Sequence, residues 1–140
     1  MSYYSRFSSL CLLLFLLSET CYISKADVGT AAHYTPPYIP TACHGRDISV
    51  FPSSNMFGAA GEGVWDNGAS CDRQYLVRCI SAAVPRTCIP GTTIQIKILD
   101  RALTAVSRPS IPGTTIVLST TAFAAIANAS ASSINIEFQQ

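Results

Sequence analysis

Alternation of apolar and polar residues predicts strands along most of this chain. The clearest case is TTIQIKILD at 92–100, where Ile94, Ile96 and Ile98 alternate with polar residues. A period of two places these isoleucines on one face of a strand. The stretch 133–138 alternates in the same way, with Ile134, Ile136 and Phe138 predicted to face inward. Further strands are predicted at 30–34, at 74–79 and at 114–118, the last apolar on both faces and therefore central.

One helix is predicted, directly after the strand at 114–118. Ser119 is a suitable N-cap, Phe123 and Ile126 recur on one side, and the helix should end near Asn128. The stretch 40–68 is rich in Gly, Pro, Ser and Asn and is predicted as a loop. Many short strands with one late helix are typical of a mainly β, closed barrel in one domain.

The first 26 residues have the organisation of a secretory signal peptide. Arg6 precedes the apolar run 10–17, and small residues, Ser24 and Ala26, precede the expected cleavage point. The run is shorter than the roughly 20 residues that a membrane span needs. We therefore expect a secreted, monomeric protein without membrane insertion, whose mature domain is 27–140.

The charge of the mature domain argues against a nucleic-acid partner. Once Arg6, Lys25 and Glu19 of the leader are removed, seven basic and seven acidic residues remain of the nine and eight in the full chain. The domain has no basic run, whereas binding to nucleic acid requires a cluster of cations.

Four of the six cysteines lie beyond the leader, which predicts two disulfides in a secreted protein. Four cysteines allow three pairings, and we favour the one whose second bond closes a short hairpin-like loop. A zinc site is the alternative, but the cysteines lack CxxC spacing, so neither a metal nor another cofactor is expected. The favoured disulfides are Cys43–Cys71 and Cys79–Cys88.

Six ordered segments between residues 28 and 138 carry a family resemblance: TAAHYTPPYIPTACHG, VWDNGASCD, YLVRC, KILDR, TIVLSTTAFAAIA and INIEF. Together they resemble the plant natriuretic-peptide-like, EG45-like domain-containing proteins. Those proteins are related to domain 1 of expansins, to barwin, to family-45 endoglucanases and to bacterial barrels that cut peptidoglycan. The resemblance implies a six-stranded double-psi β-barrel with one or two short helices, acting as an apoplastic signal in water, ion and solute homeostasis.

The resemblance also indicates what this chain lacks. A third disulfide of most relatives would join the positions of Ala102 and a residue near Ile111. The general acid of the endoglucanases would stand at Val117, and the base at Thr35-Pro36-Pro37. Inverting hydrolysis needs both carboxylates, and an aliphatic side chain cannot transfer a proton. We therefore predict no catalytic residue and no enzyme activity.

Two kinds of partner suit such a protein. In relatives the signalling segment corresponds to 36–71, which a cell-surface receptor could read. The other partner is a cell-wall polysaccharide stacked on aromatic rings, and a barwin-like defence role is a further alternative. The candidate groove or receptor residues are Tyr34, Tyr38, Arg46, Asp47, Trp65, Asp66, Tyr75 and Asp100. For two of them a structural role is the alternative: Asp66 could cap a turn, and Asp100 could make a structural hydrogen bond.

The sequon Asn128-Ala129-Ser130 follows the predicted helix at what should be a surface position. It predicts a glycoprotein with the sugar attached to Asn128.

Overall fold

A computed structural model of the chain describes residues 25–102 and 113–140. Nearly all of the predicted signal peptide and the position Ile111 lie outside these ranges. No helix in the described ranges is long and apolar enough to cross a bilayer. The elements are β1 (Asp27–Tyr34), β2 (Phe57–Ala60), α1 (Glu62–Trp65), β3 (Gln74–Ser81), β4 (Thr93–Arg101), β5 (Ile116–Ser119), α2 (Thr120–Ile126) and β6 (Ile134–Gln139), with 3-10 turns at Ile48–Val50 and Asp66–Gly68.

The six strands close into a barrel in the order β1-β5-β2-β4-β3-β6. β1 pairs with β5, and β2 with β4, in parallel. The other four neighbouring pairs are antiparallel. The prediction of a mainly β, six-stranded closed barrel with short helices is therefore confirmed.

The alternating patterns have the predicted outcome in β4 and β6. Ile94, Ile96 and Ile98 of β4 are buried in the barrel interior, as are the three apolar residues of β6. β5 is buried at all four positions, as expected of a central strand. The alternation in β4 stops after Ile98, because Leu99 and Asp100 are both buried as well. The end of β4 is therefore covered on its outer side too.

The prediction of a continuous loop at 40–68 was wrong, because this stretch contains β2 and α1. All four residues of β2 are buried, so no alternation marks the strand in the sequence. Its small residues allow close approach: a Cβ on Gly58 would lie 2.8 Å from the carbonyl oxygen of Val117 on β5. The first strand also begins earlier than predicted, with Asp27 paired to Phe138.

The predicted cap of the late helix is confirmed. The hydroxyl of Ser119 accepts a hydrogen bond from the backbone N–H of Ala122 at 3.1 Å and donates one to the carbonyl of Asn55 at 2.6 Å. The fully buried Ser119 thus starts α2 and also fixes the loop that enters β2.

A second apolar cluster lies apart from the interior of the barrel. We call it the outer cluster. Its half-buried members, Tyr38, Val50 and Phe51, come from residues 35–56 between β1 and β2, which cover part of the barrel wall. We call residues 35–56 the covering segment. The buried members are Tyr34, Phe57, Ala59, Leu99, Ala102 and Val117.

Both predicted disulfides are present, Cys43–Cys71 and Cys79–Cys88. The first joins the segment before β2 to the chain just before β3, and the second closes the connection between β3 and β4. The two bonds therefore restrain different loops of the barrel.

Removing the two disulfides should have unequal effects on stability. Replacing Cys43 and Cys71 by serine opens a loop with a sequence separation of 28 and should lower the free energy of unfolding by about 3.5 kcal/mol. Replacing Cys79 and Cys88, with a separation of 9, should cost about 2.5 kcal/mol. Urea unfolding of the two double variants measures both values. A larger loss from the shorter loop would contradict this prediction.

Candidate functional site

Val117, the position at which the resemblance places a general acid, is completely buried. It pairs with Ala32 of β1 on one side and with Ala59 of β2 on the other. Its side chain packs in the outer cluster beside Tyr34 and Leu99. A substrate bound at the surface therefore meets other residues first.

Asp100 is also completely buried, at the end of β4. Its Oδ1 accepts hydrogen bonds from the backbone N–H groups of Ala42 and Arg101, both at 2.8 Å. Ala42 precedes the disulfide residue Cys43, so this carboxylate ties the covering segment to the barrel wall. Asp100 is thus removed from a solvent-facing groove, and its contacts match the structural alternative.

Two of the aromatic residues predicted to stack on a ligand are buried. Tyr34 lies in the outer cluster, where burial, then the nearby Asp100 carboxylate, raises the pKa of its hydroxyl well above the ordinary value. Tyr75 lies in the barrel interior with its ring edge-on to Phe138. With exposed fractions of 8% and 7%, Tyr34 and Tyr75 do not form open platforms for a stacked sugar.

Tyr38 is half-buried and fastens the segment after β1. Its hydroxyl donates to the carbonyl of Tyr34 and accepts from the backbone N–H of Thr120, both at 3.2 Å. Its ring meets Tyr34 and Phe57 edge-to-face at centroid distances of 4.8 Å. The candidate Tyr38 is therefore part of the outer cluster rather than a free ring on the surface.

Trp65, at the end of α1, is half-buried against the main core. The guanidinium carbon of Arg101 lies 5.4 Å from the centroid of the Trp65 ring. Nε and Nη2 of Arg101 donate to Oε1 of Glu62 at 3.0 and 2.6 Å. Arg101 and Glu62 were not among the predicted candidates, because only the fold brings β4 and α1 together.

Asp66 follows Trp65 in a left-handed conformation, with φ of 52°. Its carbonyl accepts from the N–H of Ala69, but its carboxylate accepts from Nη2 of Arg73 at 2.7 Å. The side-chain turn cap considered as an alternative is therefore replaced by an ion pair. Hydrogen bonding to Asp66 raises the pKa of Arg73 above its ordinary value.

A third ion pair lies beside the Cys43–Cys71 bond. Oδ1 of Asp72 lies 2.8 Å from Nε2 of His44 and 3.5 Å from Nζ of Lys97. Burial alone would raise the pKa of Asp72, but the hydrogen bond and charge of His44, with Lys97, hold it below the ordinary value. The contact adds a polar link across the loop that the disulfide closes.

The exposed tip of the covering segment contains Arg46 and Asp47. Oδ1 of Asp47 accepts from the N–H and hydroxyl of Ser49 at 2.9 and 2.6 Å, which caps the 3-10 turn and lowers the pKa of Asp47. Ile48 is 72% exposed beside it. Ile48 was not among the predicted candidates, because a single apolar residue in a loop gives no signal of exposure.

The sequon residue Asn128 is exposed just beyond α2. Its Oδ1 accepts hydrogen bonds from the N–H and the hydroxyl of Ser130 at 3.0 and 2.9 Å. This local turn keeps the predicted glycosylation position on the surface. Across residues 25–102 and 113–140, no three His, Cys, Asp or Glu side chains are grouped closely enough to hold a metal ion.

Comparison with known proteins shows the family to which the sequence of this chain belongs. Residues 58–138 match the family model described as lytic transglycolase, a double-psi β-barrel. An EG45-like domain-containing protein of Citrus jambhiri is 37% identical over 128 residues, covering 89% of this chain and 87% of that protein. EG45-like domain-containing protein 2 of Arabidopsis thaliana is 35% identical over 120 residues, covering 83% and 82%.

Solved structures share the fold at low identity. The expansin of Clavibacter michiganensis superimposes with a TM-score of 0.57 at 19% identity, covering 81% of this chain. A variant of that expansin in complex with cellohexaose gives a TM-score of 0.59. This chain spans about half of the expansin's length, 49%. The chain therefore belongs to the double-psi β-barrel family of that model and, within it, to the EG45-like domain-containing proteins.

Proposed function

We propose that this protein is a secreted, non-catalytic recognition module. The observation that carries the proposal is that Val117, where the resemblance places a general acid, is aliphatic and completely buried. The ion pairs of Glu62 and Asp66 also fit a binding surface, since each carboxylate is held by an arginine. A valine cannot donate the proton that the resemblance places at this position, which supports an activity based on binding.

The first candidate partner is a cell-surface receptor that reads the tip Arg46–Ser49, giving an apoplastic signal in water, ion and solute homeostasis. Ile48 supports this proposal, because it is the most exposed large apolar residue in the described ranges and sits on a capped turn. The hydrogen bond from the Ala42 N–H to Asp100 and the disulfide Cys43–Cys71 fix the chain that precedes this turn. A loop that is already ordered loses little entropy on binding, which favours affinity.

The receptor proposal predicts that the tip controls binding to plant membranes. Combining Ile48→Ser with Arg46→Ala should lower saturable binding of the labelled mature domain to plasma-membrane vesicles by at least about tenfold, since exposed apolar and arginine anchors carry much of such energy. Protoplast swelling should fall in parallel. Val84→Ser is the matched control, because Val84 is also highly exposed, at 68%, but lies in another loop. Equal loss in the control, or none at the tip, would contradict the proposal.

The second candidate partner is a cell-wall polysaccharide. The cellohexaose complex of a protein with the same fold favours it, although the low identity extends only to the fold. On this chain Trp65 is the one predicted aromatic candidate that is neither buried in a core nor part of the outer cluster. Retention of the mature domain on cellulose or pectin columns, with the tip variant retained equally well, would favour this candidate over the receptor.

A further inference from the structure

The ring of Trp65 is covered in part by the protein's own Arg101. The guanidinium carbon lies 5.4 Å from the ring centroid, a cation–π distance. A neutral sugar binds an aromatic residue by stacking a face of C–H groups on the open ring. On Trp65 that contact competes with the arginine.

Glu62 binds the Arg101 guanidinium in this position, but a ligand can replace Glu62 in the ion pair. Its side chain is 64% exposed, against 34% for Arg101. An ion pair this exposed contributes little to stability, because water and salt screen it. Glu62 uses one oxygen, Oε1, for both Nε and Nη2 of Arg101. A carboxylate on a ligand could offer both oxygens to the same fork, which is the stronger geometry.

We propose that Arg101 makes Trp65 a site for acidic saccharides, those that carry uronate carboxylates, and disfavours neutral glucans. The uronate carboxylate takes the place of Glu62 on the guanidinium, while the sugar ring lies along the exposed part of Trp65. Asp66, next in sequence to Trp65, holds Arg73 through a carboxylate that is likewise largely exposed, at 59%. This proposal rests on the polysaccharide candidate above and names its ligand class.

The test is titration calorimetry of the mature domain with hexagalacturonate and with cellohexaose. The wild type should bind hexagalacturonate at least tenfold more tightly, with an affinity that falls as salt is added. Arg101→Ala should lose at least tenfold toward hexagalacturonate and gain toward cellohexaose, because the ring is uncovered. Glu62→Gln should tighten hexagalacturonate about threefold or more, because the competing carboxylate is gone.

Arg78→Ala is the matched control. Nη2 of Arg78 pairs with Oε2 of Glu137 at 2.8 Å, an exposed arginine–glutamate pair on β3 and β6 rather than on α1. Arg78→Ala should leave the affinities for both oligosaccharides unchanged. A loss equal to that of Arg101→Ala would show that the affinity depends only on net charge, and it would overturn the proposal. Arg101→Lys keeps the charge without the fork and should also weaken hexagalacturonate, which preserves the test if the alanine variant does not fold.

Two results for the wild type separate the proposals. Binding of cellohexaose equal to or tighter than that of hexagalacturonate would overturn the role of Arg101 and leave the polysaccharide candidate in place. Failure to bind either oligosaccharide would overturn both.

Discussion

Replacing Asp100 by alanine will lower the free energy of unfolding by about 3–5 kcal/mol. The carboxylate is completely buried and accepts from the N–H groups of Ala42 and Arg101. Each hydrogen bond to an ionised group contributes about 1.5–3 kcal/mol, and its loss leaves a donor without its acceptor. The substitution should also free the covering segment, seen as faster hydrogen exchange at the Ala42 amide.

Asp100→Asn separates the hydrogen bonds from the charge. An asparagine Oδ1 can accept from the same two N–H groups, so this variant should lose less, about 1–2 kcal/mol. Urea unfolding of both variants gives the comparison. If Asp100→Ala cost less than about 1 kcal/mol, the carboxylate would not be tying the segment to the barrel.

Gly61→Ala should be at least as damaging, with a loss above about 3 kcal/mol or no folded protein. A Cβ on Gly61 would lie 2.0 Å from the carbonyl oxygen of Thr114 and 2.9 Å from that of Thr115. Both obstacles are backbone atoms, and the N–H of Gly61 already donates to Thr115 at 2.9 Å. The backbone around Gly61 or Thr114 must therefore move, because no side-chain rotation relieves the overlap.

Gly63→Ala, two positions further on, is the control. Nothing lies within 4 Å of a Cβ at Gly63, which sits in the exposed helix α1. Alanine there should leave stability unchanged or raise it by up to about 1 kcal/mol, because it lowers the entropy lost on ordering a glycine. Melting temperatures of the two variants measured side by side check the contrast. Similar values would mean that the close approach at Gly61 carries no energetic weight.

Periodic patterns in the sequence predicted the elements that have one buried and one exposed face. β4 and β6 were recognisable for this reason. β5 was recognisable from its continuous apolar run, and Ser119 from its residue type at the start of a helix. β2 was not recognisable, because four small or aromatic residues buried on both faces have no period and stand among loop-forming residues. Burial of Asp100 was equally hidden, since its partner N–H groups come partly from a distant segment.

The candidate site was less predictable than the fold. Aromatic residues were chosen by type, but type does not decide whether a ring covers a core or faces water. Tyr34 and Tyr75 belong to the two cores, whereas Trp65 keeps part of its surface. Its contact with Arg101 depends on the parallel pairing of β2 and β4, in which Ala60 lies opposite Arg101. A sequence pattern contains no information on such a register.

The order of strands around the barrel has a kinetic consequence. Of the six neighbouring pairs, only β3 and β4 follow one another along the chain. Every other pairing must close a long stretch of chain before it gains any contact energy, and such topologies fold slowly. The β3–β4 hairpin is therefore the natural first structure to form, and in the interval before the remaining strands arrive its apolar face is open to association with other newly made chains.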